Sequence, residues 1–130
     1  MIEFRVDATS GLPPYRQLVH QVHSALRLGL LEVGDQLPVV KDVVAKVAIN
    51  PNTVFKAYRE LELEGLVEGR AGVGTFVIRS LANRSLAAHG ALRTDLGRWV
   101  TKARRAGMDD HSIAALFEDT LHSALRGGVA

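Results

Sequence analysis

The chain has 130 residues, 47% of them hydrophobic and 23% charged, with a formal net charge of +2 and no cysteine. That composition is ordinary for one folded domain with an appendage, and it excludes disulfides and any cysteine-ligated zinc or iron–sulfur site. No apolar run approaches the roughly 20 residues of a membrane span and the N-terminus lacks a signal pattern, so a cytoplasmic location is expected.

The opening Ile2-Glu3-Phe4-Arg5-Val6 alternates apolar and polar, which predicts a short half-buried strand. Leu12-Pro13-Pro14 then opens a helix to about Leu30, with Tyr15, Leu18, Val19, Val22, Ala25 and Leu26 on one stripe. His20 and His23 fall on or near its other side, where the absence of a third ligand makes them surface residues rather than a metal pair. Leu31 to Pro38 is a turn-rich connector. A second helix, to about Ala48, buries Val40, Val43, Val44 and Val47. So many β-branched residues lower its intrinsic helicity, so tertiary packing must hold it.

The link to the third helix is only Ala48-Ile49-Asn50, the spacing of a helix-turn-helix. Asn50 is a strong N-cap, Pro51 suits the first helical position, and Gly65 is the expected left-handed stop. Val54, Ala57, Tyr58 and Leu61 share one face, while Asn52, Phe55, Lys56 and Arg59 share the opposite one. The free face holds two cations, an amide that can pair with adenine and a ring that can touch a thymine methyl. The N–H groups of its first turn offer a phosphate seat. A merely solvated face is the alternative for such a helix taken alone. Leu66 to Arg70, the glycine turn Ala71-Gly72-Val73-Gly74 and Thr75 to Arg79 then read as a β-hairpin. The order is that of a winged helix.

Leu81 to Ser85 is a linker. A helix from about Leu86 to Ala106 carries Leu92, Leu96, Trp99, Val100 and Ala103 and ends at Gly107. Asp109 caps a last helix to about Leu125, with Ile113, Leu116, Phe117, Leu121 and Leu125 on its apolar side. Residues 81–107 hold six Lys or Arg against one acid, and residues 108–130 hold four acids against one Arg, which fits mutual packing. Such helices expose too much apolar area to stand alone. A second copy is the simplest cover, giving a homodimer interface of Leu92, Leu96, Trp99, Val100, Ile113, Leu116, Phe117, Leu121 and Leu125. The chain's own winged helix is the alternative cover. His111, Asp119 and His122 read as surface residues. The expected fold is mostly α (α+β), with a winged helix-turn-helix over 1–79 and a two-helix dimerisation hairpin over 80–130. No metal, cofactor or small-molecule effector pocket is evident.

Pro14-Tyr15-Arg16-Gln17, Gly34-Asp35-Gln36-Leu37-Pro38, Asn50-Pro51-Asn52-Thr53-Val54, Tyr58-Arg59-Glu60-Leu61-Glu62, Glu64-Gly65-Leu66-Val67 and Gly72-Val73-Gly74-Thr75-Phe76-Val77 together resemble the GntR family of bacterial winged-helix transcription regulators. The Asn-Pro-Asn-Thr cap and short tail resemble its YtrA-type branch, small dimeric repressors often associated with transporter operons. The resemblance implies that Asn52, Thr53 and Lys56 lie in the major groove of a palindromic operator in double-stranded DNA. It brings the turn of Gly72, Val73, Gly74 and Thr75 to the minor groove and backbone, where glycine permits close approach. Lys41 stands where the family usually has a phosphate-contacting arginine, keeping the charge without the bidentate fork. Val39-Val40 replaces a small capping serine. Val73 brings no charge to the wing tip, which leaves Arg70 as the expected backbone contact there. Lys41, Lys56, Arg59 and Arg70 are expected to fix the protein on phosphates or guanines, and the cap residue Asn50 belongs to the same DNA-binding set. Phe55 either touches a thymine methyl or shelters against the second helix, the favoured reading. A winged-helix protein-interaction module is the alternative function. No nucleophile–base pair, metal-ligand spacing or phosphate loop suggests an enzyme.

Overall fold

The computed structural model describes residues 2–82 and 90–126, with side chains through residue 124. They fall into two compact units, Met1–Leu86 and Ala87–Ala130.

In the first unit, α1 (Pro14–Arg27) begins with proline at its first position behind an extended Pro13. It stops before the expected Leu30. Gly29, at φ 71°, turns the chain so that the Leu30 N–H reaches back to the Ala25 carbonyl at 2.8 Å. That left-handed glycine stop satisfies a carbonyl the helix would otherwise leave open. Helix α2 (Val40–Val47) buries Val43 and half-buries Val40, Val44 and Val47. Its N-cap, Val39, makes no capping bond.

Ala48 turns the chain from α2 into α3 (Pro51–Leu63) in the left-handed conformation, φ 52° and ψ 48°. An L-residue there costs roughly 1–2 kcal/mol, set against the bond from its N–H to the Val44 carbonyl at 3.0 Å. Asn50 caps α3 by accepting the Asn52 N–H at 2.8 Å. Gly65, at φ 75°, ends it, with the Leu66 N–H bonded to the Leu61 carbonyl at 3.0 Å. Val54, Ala57, Tyr58 and Leu61 all point into the core, where α3 packs against α1, α2 and the wing. Tyr58 lies 6.4 Å from the Phe4 ring and donates its hydroxyl to the Pro38 carbonyl. Burial pushes the phenol well above its ordinary pKa, so it remains a donor.

The opening segment is not a strand. Residues 2–7 form no regular element and have no sheet neighbour. Two glutamines of α1 take that place: Gln21 accepts the Arg5 N–H at 2.8 Å and donates to its carbonyl at 2.6 Å, and Gln17 does likewise for Asp7 at 2.8 and 3.0 Å. A primary amide presents the same donor and acceptor pair as a peptide group, so it can stand in for a strand edge. Alternation correctly marks Phe4 as buried, yet says nothing about what pairs the backbone.

The wing is the antiparallel pair β1 (Val67–Arg70) and β2 (Gly74–Val77), in register Val67 to Val77 and Arg70 to Gly74. Val73 N–H closes the turn onto the Arg70 carbonyl at 3.0 Å, with Gly72 at φ 75°. The connector before α2 is more than a turn. It lines the outer edge of β2 through Gly34 N–H to Val77, Val77 N–H to Asp35 and Leu37 N–H to Thr75, at 2.8–2.9 Å. The Gln36 carboxamide occupies the space a side chain on Gly74 would need, and Gly74 has φ 144°.

In the second unit α4 (Gly90–Arg105) and α5 (Asp110–Arg126) pack against each other. The expected start of α4 near Leu86 and most of the 81–85 linker lie outside the described residues, as does the Leu125 side chain. Gly107, at φ 92°, turns the chain, and Asp109 caps α5 by accepting the Ser112 N–H at 2.7 Å. That hydrogen bonding with Ser112 holds the Asp109 carboxyl below its ordinary pKa. Ala103 and Ile113 are the only buried side chains among the described residues of this unit. Of the expected charge pairing between the two helices, the described residues carry one exposed contact, Arg104 to Asp110 at 3.1 Å.

Candidate nucleic-acid interface

The outward side of α3 is built by the same periodicity that builds its inner side. Asn52, Phe55, Lys56 and Arg59 are exposed and, with Leu63, line one shallow depression along the helix. Thr53 is half-buried. Asn50 is exposed, but its oxygen is committed to the cap.

That cap corrects the expected phosphate seat. Pro51 has no N–H, Asn52 N–H is bonded to the Asn50 side chain, and Thr53 N–H goes to the Asn50 carbonyl at 2.9 Å. Since the first-turn donors are satisfied internally, anion contact at this helix falls to side chains.

Phe55 is only partly sheltered against α2. It is 54% exposed and forms one wall of a trough completed by Val39 and Val40 and by the wing residues Gly69 to Thr75. Arg70, Gly72, Val73, Gly74 and Thr75 are thus brought into the same trough as α3, though they lie seven to twelve residues beyond its end in sequence. Arg70 is steadied on the wing, its guanidinium 4.6 Å from the Phe76 ring centroid and its Nε 3.5 Å from Glu68. Lys41 is exposed in the first turn of α2 and makes no ion pair among the described residues.

Lys56 is not a free cation. Its Nζ sits 4.0 Å from the centroid of the Tyr15 ring, and the Arg16 guanidinium lies 5.7 Å from the same centroid. The sequence pattern marks Tyr15 as part of the apolar stripe of α1 and Arg16 only as part of a motif. Their meeting with Lys56 depends on how α1 crosses α3, which no local pattern encodes.

The histidines hold no metal arrangement: among the described residues there is no cluster of three or more His, Cys, Asp or Glu fit to hold an ion. His23 instead bonds Glu64 at 2.8 Å, tying α1 to the end of α3. Among the described residues no helix is long and apolar enough to cross a membrane.

Residues 14–77, which span α1 through the wing, match the model of the bacterial regulatory proteins of the gntR family. The chain carries a GntR-family helix-turn-helix domain. It is 40% identical over 73 residues to the HTH-type transcriptional repressor YtrA of Bacillus subtilis, a match covering 56% of this chain and 56% of that protein. It is 44% identical over 75 residues to the HTH-type transcriptional regulator Rv1152 of Mycobacterium tuberculosis, covering 58% of this chain and 62% of that one. The match therefore spans little more than half the length of these relatives. Among solved structures it resembles YtrA from Sulfolobus acidocaldarius, a GntR-family transcription factor, at a TM-score of 0.54 and 26% identity over 75% of this chain and 97% of that one. Both the Bacillus subtilis and the Mycobacterium tuberculosis relative bear the names of transcription regulators.

Proposed function

We propose that this GntR protein is a cytoplasmic, dimeric repressor of the YtrA type, binding a palindromic operator of a transporter-type operon. The observation that carries the reading is the outward face of α3, exposed at Asn52, Phe55, Lys56 and Arg59 and flanked by a glycine-tipped wing. Asn52 and Thr53 read base edges, Phe55 meets a thymine methyl, and Lys41, Lys56, Arg59 and Arg70 fix the protein on phosphates or guanines. The wing backbone from Gly72 to Thr75 follows the adjacent groove. The printed role of the Bacillus subtilis relative, a transcriptional repressor, supports the sign of the regulation.

The second unit supplies the twofold partner. Leu92, Leu96, Leu116, Phe117 and Leu121 are each more than 40% exposed, while Trp99 and Val100 are half-buried. Two helices that, among the described residues, bury only Ala103 and Ile113 between them leave most of their apolar surface in water, and a second copy removes it.

The test begins with recovery of bound genomic fragments and gel-shift titration of the recovered sequence. Asn52→Ala is expected to weaken operator binding by about 1–3 kcal/mol while leaving random-duplex affinity nearly unchanged. Equal affinity of this variant and the unmodified chain for the operator would remove Asn52 as a reader.

A further inference from the structure

The meeting of Tyr15, Arg16 and Lys56 has no part in the base-reading scheme above. One aromatic ring at the start of α1 carries two cations from two different helices, at 4.0 and 5.7 Å from its centroid. Both cations are exposed, whereas Tyr15 is half-buried and packed against the core, so the ring is the fixed member of the group. A cation over an aromatic face is attracted by the ring's quadrupole and loses side-chain freedom, but it keeps donors for a further acceptor. Hydrogen bonding and charge at the Tyr15 side chain favour the charged Arg16 guanidinium, and the half-buried Glu60, one turn beyond Lys56, adds a negative field there. One carboxylate against two cations leaves the cluster positive.

We propose that the Tyr15 ring is a positioning platform that sets Lys56 and Arg16 together as a two-cation grip on the DNA phosphate backbone, which makes Lys56 a backbone contact rather than a base reader. The proposal rests on the DNA-binding reading of α3 and extends the contact surface onto α1. Like charges gathered on one ring repel each other, and a phosphodiester between them removes that repulsion. A backbone grip lends affinity and register without sequence preference. It acts through counterion release, so its signature is the salt dependence of binding.

The probe is a random-sequence duplex, titrated by fluorescence anisotropy across a salt series. Tyr15→Leu, which keeps an apolar side chain in the core, is expected to weaken binding about threefold to tenfold and to lower the salt slope by about 1. Tyr15→Phe, which keeps the ring, should stay within about twofold of the unmodified chain. Lys56→Ala should lower the slope likewise, and adding Tyr15→Leu to it should cost less than the two single losses combined. Thermal melting of each variant reports whether the fold is intact, and a merely structural loss would leave the slope unmoved and overturn the proposal. Tyr15→Phe as weak as Tyr15→Leu would overturn it in favour of a hydroxyl contact. An unchanged slope in Lys56→Ala would also overturn it. If the unmodified chain fails to bind any duplex, the DNA reading falls along with it, whereas normal binding with Tyr15→Leu unaffected sinks the platform alone.

Discussion

Tyr58 joins the two halves of the helix-turn-helix by a single polar contact. Its ring is buried beside Phe4, and its hydroxyl satisfies the carbonyl of Pro38, two residues before α2 begins. Tyr58→Phe leaves that carbonyl without its partner and is expected to cost about 1 kcal/mol, read as a lowered urea midpoint with unchanged slope. Val39 offers the opposite experiment. It already holds extended N-cap geometry, φ −66° and ψ 149°, yet has no side-chain acceptor for the first turn. Val39→Ser supplies one at a position 42% exposed, so little burial is lost. A gain of about 0.5–1 kcal/mol is expected in the same denaturation experiment. Both positions were visible in the sequence, Val39 as a missing cap and Tyr58 as a core residue. The Pro38 contact was not, because it joins residues 20 apart.

Among the elements, the helices were the most legible and the wing's outer edge the least. The stripe of α3 and its two ends follow from Asn50, Pro51 and Gly65, all local signals. The connector at Gly34 to Leu37 carries no alternation, so its role as a strip along β2 could not be read from pattern; its backbone bonds to β2, the buried Leu37 and the Gln36 amide on the Val73 carbonyl dock it there. Gly74 is where these pieces press together. Gly74→Ala places a methyl against the Gln36 carboxamide and forces an L-residue to φ 144°, a conformation that costs roughly 1–3 kcal/mol. The wing should loosen. Hydrogen exchange is expected to speed up at Leu37 and Val77 N–H while the α3 amides keep their protection, and uniform protection across both would refute this.

For the assembled protein, the decisive question is what covers the second unit. Leu121 is 52% exposed on α5, so a charge there harms the isolated chain little. Leu121→Glu is expected to shift sedimentation from a dimer to a monomer and to weaken operator binding, since one reading helix then works without its twofold mate. A Leu121→Glu chain that still sediments as the unmodified one does would point to a different cover. The net charge of only +2 also becomes intelligible at this level. Basic groups need not dominate the composition if a few are gathered at Tyr15, on α3 and on the wing, and binding should still weaken steeply as salt rises.

The order of elements from α1 onward, the capped third helix, the glycine turn and the amphipathic tail were all inherent in the amino-acid order, because each rests on periodicity or on conformational preferences within a few residues. Four things needed the folded chain: the glutamines that replace a strand beside residues 2–7, the third line of the wing, the exposure of Phe55 and the docking of Lys56 on Tyr15. Each joins segments distant in sequence, and the geometry of such a meeting is set by how helices and strands cross in the core rather than by the residues at either end alone.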